Sequence, residues 1–142
     1  MVNVNQNSSP QLIILNQYIK DLSYENPQSI ELIQSLKKTS DVSYNLNAFF
    51  QSYDKDKFGV TLKILCRSIF NKKELFHLEL DYFGFFKIIN NLNFAEDQLT
   101  NEAARLLFPF ARSIIANLTQ NGGSIPILLD NIDFNLLKKI NQ

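Results

Sequence analysis

Between Leu99 and Gln120 apolar side chains recur at helical spacing without gathering into one stripe. Ala103, Leu106, Phe110, Ile114 and Leu118 cover one side. Leu107, Phe108, Ala111 and Ile115 carry the apolar surface well around the cylinder, and Glu102, Arg105 and Arg112 are its only charges. A helix this apolar has to be buried from two directions. One partner can be a sheet of its own chain. In a protein of 142 residues the second is most easily another subunit. Asn121-Gly122-Gly123 stops the helix, because glycine closes it in the left-handed region. Pro109 removes a backbone donor and is expected to kink or interrupt it.

The chain ahead of that helix alternates with period two, the mark of half-buried strands. Val42, Tyr44, Leu46, Ala48 and Phe50 point one way, with Ser43, Asn45 and Asn47 opposite. After the polar turn Asp54-Lys55-Asp56-Lys57, a second strand runs from Phe58 to Ile69 with Phe58, Val60, Leu62, Ile64 and Cys66 on one face. Asn71-Lys72-Lys73 turns the chain into a third, Leu75 to Tyr82, with His77, Glu79 and Asp81 facing out. Gly84 is read as an interruption, and Phe85 to Ile89 as a short fourth strand. Short turns between successive strands predict an antiparallel meander. Gln11 to Lys20 suits a strand or ordered arm, broken at Ser23 to Pro27 because proline pushes Asn26 to extended geometry. Gln28 to Lys38 has weak helical spacing. A short helix is expected from Asp133, a plausible N-cap, burying Leu136, Leu137 and Ile140. The fold class is α+β, sheet first and helices after. Residues 1–10 read as a disordered polar tail and residues 11–142 as one domain.

Fourteen basic and fourteen acidic residues cancel, so no long-range field draws the chain to nucleic acid or an anionic membrane. The single cysteine, Cys66, permits no intrachain disulfide and nothing indicates an oxidising compartment. Leu12-Ile13-Ile14-Leu15 is too short for a signal core or a membrane span, which makes a cytoplasmic location the expectation, without direct membrane insertion.

Chemistry finds few footholds. His77, the only histidine, can be cast as a general base beside Glu79 or Asp81, its same-face neighbours; a solvated polar sheet face is the plainer account. Cys66 has no ligand partner at zinc spacing, and no glycine-rich phosphate loop follows a strand. No metal, cofactor or enzymatic activity is expected. Asp21, Glu25, Glu79 and Asp81 would form one acidic patch for a basic partner if the first arm lies beside the third strand.

Three blocks carry a resemblance. Gln17-Tyr18-Ile19-Lys20-Asp21-Leu22-Ser23-Tyr24-Glu25-Asn26-Pro27 resembles the N-terminal signature of SecB, the bacterial protein-export chaperone. Leu78-Glu79-Leu80-Asp81-Tyr82-Phe83-Gly84-Phe85-Phe86 is similar to that family's third strand and turn. Leu106-Leu107-Phe108-Pro109-Phe110-Ala111-Arg112, then Gly122-Gly123 and Pro126 through Phe134, is similar to its helix, glycine break and Asp-Phe block. The likeness runs in order from about Leu12 to Leu137.

The resemblance implies a four-stranded antiparallel sheet with a long helix and a short C-terminal one. Subunits would pair through their sheets, and two dimers would pack through the long helices into a homotetramer. It implies a cytosolic chaperone that binds unfolded preproteins, keeps them export-competent and delivers them to the SecA ATPase. A SecB-like chaperone dedicated to a toxin–antitoxin system is the alternative, with a small enzyme centred on His77 as a remoter one. SecA binding would fall on Asp21, Glu25, His77 and Glu79, His77 standing where the family has an apolar residue. Client binding would fall on Tyr44, Leu46, Phe108 and Phe110. The chain departs from its relatives in being neutral where they are acidic, and in lacking their frequent tryptophan and proline around Ser35 to Ser40.

Overall fold

A computed structural model describes residues 8–27, 30, 41–130 and 132–134. Strands β1 (Leu12–Glu25), β2 (Asp41–Ser52), β3 (Lys57–Phe70) and β4 (Lys73–Ile88) precede one long helix, α1 (Glu96–Asn121). The strands form a single antiparallel sheet in the order β1-β4-β3-β2. The expected strand periods around Asp41 to Phe50 and Phe58 to Ile69 are present.

Three expectations change. The meander has three strands, β2, β3 and β4, and the fourth strand of the sheet is β1, which lies beside β4 as the acidic patch required. The arm is a full strand that continues to Glu25 and stops where Asn26-Pro27 removes a ladder donor. Gly84 breaks nothing, since β4 is one strand through it. A Cβ on Gly84 would stand 2.7 Å from Leu107 Cδ2 and 2.7 Å from the Phe86 ring. The glycine therefore marks a close approach of helix to sheet, one of the places where a strand interior carries glycine.

The even-numbered face of β3 and β4 is buried under α1. Phe58, Val60, Leu62, Ile64, Cys66, Phe76, Leu78, Leu80 and Phe86 meet Ala103, Ala104, Leu107, Ala111 and Ile115 in one core. Stacked rings Phe50, Phe58 and Phe86 run across three strands at 5.3 and 5.4 Å. Asn71 and Lys72 both have positive φ, as a two-residue hairpin with the strands' own twist requires.

Helix α1 begins three residues before the expected Leu99. Gln98 turns its side chain back to accept from the Ala95 amide at 3.0 Å, and Glu96 and Asp97 lie in the positive first turn. The helix runs uninterrupted through Pro109, which stands on its exposed side. There the Arg105 carbonyl that loses its donor is close to water. Part of the second cover comes from the chain itself: Leu129 is buried, and Phe134 sets its ring edge-on to Phe108 at 5.5 Å. Residues beyond Phe134, where the short C-terminal helix was expected, and the Ser35 to Ser40 region lie outside the described residues. Of the expected tail, Ser9 and Pro10 are in place: Pro10 is buried and the Ser9 carbonyl accepts from Asn90.

Candidate functional site

Antiparallel pairing sends the odd positions of β4 to the face opposite α1, and the register decides what joins them there. Glu25 stands across from His77, Ser23 from Glu79 and Asp21 from Asp81. A bulge between Ile19 and Asp21 shifts β1 by one residue. Without it, Leu22 and Tyr24 would face outward in place of the acids. All four residues expected to bind a basic motor therefore share one end of the outer sheet face, on neighbouring strands.

Three ion-pair contacts organise that end. His77 Nε2 lies 3.1 Å from Glu79 Oε1, and His77 Nδ1 lies 3.2 Å from Glu74 Oε1, which also accepts from Arg67 Nε at 3.2 Å. Asp21 accepts from the Leu22 amide at 3.0 Å. Across β3 the signs reverse. Lys63 stands beside Asp81 and Arg67 beside His77, so the surface is acidic over β1 and the outer half of β4 and basic over β3. Both nitrogens of His77 are occupied by carboxylates of its own strand on an open sheet face, so a reacting base would first have to leave them.

The four residues expected to line a client groove are not brought together. Tyr44 and Leu46 lie on β2, an edge strand, on the same sheet face as α1; Tyr44 is 38% exposed and Leu46 half-buried. Phe108 and Phe110 project about 200° apart around the helix. Phe108 is only 4% exposed beneath Phe134. Phe110, 46% exposed, lies over Tyr82 at 6.5 Å towards the β1 side. Tyr82 in turn donates to Gln17 of β1. Ile19 and Leu22 of β1 are also exposed on that side.

The sequence reading missed an aromatic platform on the outer face. Tyr18 and Phe83 face each other across β1 and β4, rings 5.2 Å apart, and Tyr53 meets Phe85 edge-on at 5.2 Å. Both pairs converge over Gly59, where a Cβ would come within 2.6 Å of Phe83 and 3.0 Å of Tyr53. The signal was present: Phe83 and Phe85 continue the outward series of His77, Glu79 and Asp81, but aromatic residues on a solvent face look like core residues to a pattern.

Comparison with known proteins gives a consistent picture. A family profile described as preprotein translocase subunit SecB matches residues 5–141. The protein-export protein SecB of Nitrobacter hamburgensis is 41% identical over 130 residues, covering 89% of this chain and 80% of the relative. That of Afipia carboxidovorans is 43% identical over 129 residues, covering 88% and 78%. Among solved structures, the Mycobacterium tuberculosis SecB-like chaperone in complex with a ChAD peptide from an antitoxin matches with a TM-score of 0.63 at 14% identity, covering 85% of this chain and 90% of the other. That likeness is one of fold.

Proposed function

The chain belongs to the SecB family of protein-export chaperones, and on that premise we propose that it holds unfolded preproteins in the cytoplasm and passes them to the SecA ATPase through the acidic end of its outer sheet face. The observation that carries the reading is the register of β1 on β4, which puts Asp21 and Glu25 beside Glu79 and His77. Carboxylates on adjacent strands make a surface of one sign, and such a surface speeds encounter with a basic partner and fixes its orientation.

Client holding rests on the opposite face. Tyr44 and Leu46 along β2, and Phe110 beside α1, offer apolar area on which unfolded segments can lie, while Phe108 supports the helix from within. Each contact contributes on the order of 25 cal/mol per Å² of apolar area buried. Several contacts on one client raise the effective concentration of the rest. A folded protein presents no such segments. Assembly as a dimer of dimers would align several of these surfaces and cover Leu106 and the flank of α1 that the described residues leave open. The family is one of chaperones, and release by a competing partner needs no chemistry. A role dedicated to a toxin–antitoxin pair would suit the fold neighbour with its antitoxin peptide, but the identity of the export relatives is far higher.

Light scattering for subunit count, combined with an aggregation assay on an unfolded precursor, tests the proposal. A tetramer that delays aggregation is expected. A stable monomer without that effect contradicts it.

A further inference from the structure

The acidic end of the outer face is continuous with the aromatic platform. The Tyr18–Phe83 pair occupies the rung next to Asp21–Asp81, and Glu79 and Glu25 follow on the next two. Tyr18 and Tyr53 are 46% and 49% exposed, whereas Phe83 between them is buried. One apolar end and one charged track thus share the β1–β4 side of the sheet. Lys63 and Arg67 on β3 bar a basic ligand from spreading towards the centre.

From this continuity we propose that the outer face docks an extended segment whose alternate residues are basic and whose end carries an aromatic anchor, the anchor seating on Tyr18 and Phe83. Successive outward positions of a strand are about 7 Å apart. An extended ligand lying along β4 has the same spacing between alternate side chains. With its anchor over Tyr18, its next alternate residue reaches Asp21 and Asp81, the following one Glu79, and the one after that Glu25. A helix, rising 5.4 Å per turn, falls out of step within two turns. The exposed Tyr18 ring stacks on an aromatic side chain or lies under a cation, and Phe83 backs it from β4. The inference rests on the motor-docking reading and adds to it the chemistry of the docked segment. Charge complementarity selects this occupant over an apolar client or a second copy of the chain.

The test uses a labelled peptide, Trp-Ser-Lys-Ser-Lys-Ser-Lys, and a control with Ser in place of Trp, titrated by fluorescence polarisation against the full chain. The anchored peptide should bind about tenfold tighter than the control, a difference typical of one buried aromatic contact. Tyr18→Ala should erase that difference without changing the control's affinity, and Tyr18→Phe should keep it. An undiminished preference for the anchored peptide in Tyr18→Ala overturns the inference. So does a change in subunit number, or a loss of client holding, as the main effect of that variant. Failure of the docking reading looks different: the double variant Asp21→Lys/Glu79→Lys would then bind both peptides as before.

Discussion

The hydroxyl of Tyr24 occupies the space in which a side chain on Gly122 would begin, and a Cβ built there meets it far inside contact distance. The Tyr24 ring lies on Phe76 at 6.1 Å, and the neighbouring Asn26 donates to the Gly122 carbonyl at 2.7 Å. The end of β1 is thus fastened to the C-terminus of α1, with Glu25 of the acidic surface between the two fastening residues. Gly122→Ala should lower stability by about 1–3 kcal/mol, the usual cost of overpacking. In a Tyr24→Phe background the loss should shrink, because the obstructing oxygen is gone. Chemical denaturation of the four proteins at one concentration measures this. An equal loss in both backgrounds would assign the effect to the backbone alone.

Tyr24→Phe should itself be neutral or stabilising. The Tyr24 oxygen is buried without a hydrogen-bond partner among the described residues, and its desolvation goes uncompensated. A marked drop in denaturation midpoint would show that the hydroxyl does have a partner.

Alkaline pH should destabilise the fold. Burial pushes the Cys66 thiol up to about 11 from an ordinary 9.0, and raises Tyr24 and Tyr82 as well. An acid whose folded value is raised keeps its proton in the native state while the unfolded chain gives it up. The stability it contributes is full below about pH 9 and declines through about pH 11. Denaturation midpoints should fall across that window, and less steeply in Cys66→Ala. The same burial predicts that Cys66 reacts with a thiol reagent only after unfolding. Rapid labelling of the native protein at pH 8 would contradict it.

How much of this could be read from residues alone varies with the range of the interaction. The strands from Asp41 and from Phe58 were legible because burial of one face writes period two into the sequence. The placing of β1 beside β4 was not, since a pairing between Glu25 and His77 leaves no local mark; the carboxylates raised it as a condition and the resemblance supplied the pairing. Gly84 was misread because glycine reports both strand breaks and close approaches, and only Leu107 above it decides between them. Likewise Phe108 and Phe110 look equivalent two positions apart. Phe134, arriving from a distant segment, distinguishes them.

The acidic surface should affect partner binding and little else. Asp21 is exposed, and Glu79 makes its one described ion pair to His77. Charge reversal with Asp21→Lys and Glu79→Lys should change the unfolding free energy by under about 1 kcal/mol, as surface pairs contribute little. SecA affinity should fall at least about tenfold at low salt, with the difference narrowing as salt screens it. Titration at two ionic strengths reads both effects. Unchanged SecA binding would reject the proposed docking site.

Phe108 and Phe110 separate structure from client holding within one turn of helix. Phe108 is buried against Phe134, so Phe108→Ala removes a large side chain from a packed core and should cost about 3–5 kcal/mol. Phe110 is nearly half exposed and touches Tyr82 at the margin, so Phe110→Ser should cost under about 2 kcal/mol by the area it buries. If Phe110 contributes to the client surface, its variant should suppress aggregation of an unfolded precursor less well than the parent while remaining folded at the assay temperature. Subunit count must be followed in parallel, because the same ring is available to a neighbouring subunit. Loss of holding with intact assembly assigns Phe110 to clients; dissociation together with loss of holding assigns it to the interface. A variant that stays assembled and holds clients as well as the parent would remove Phe110 from the client surface.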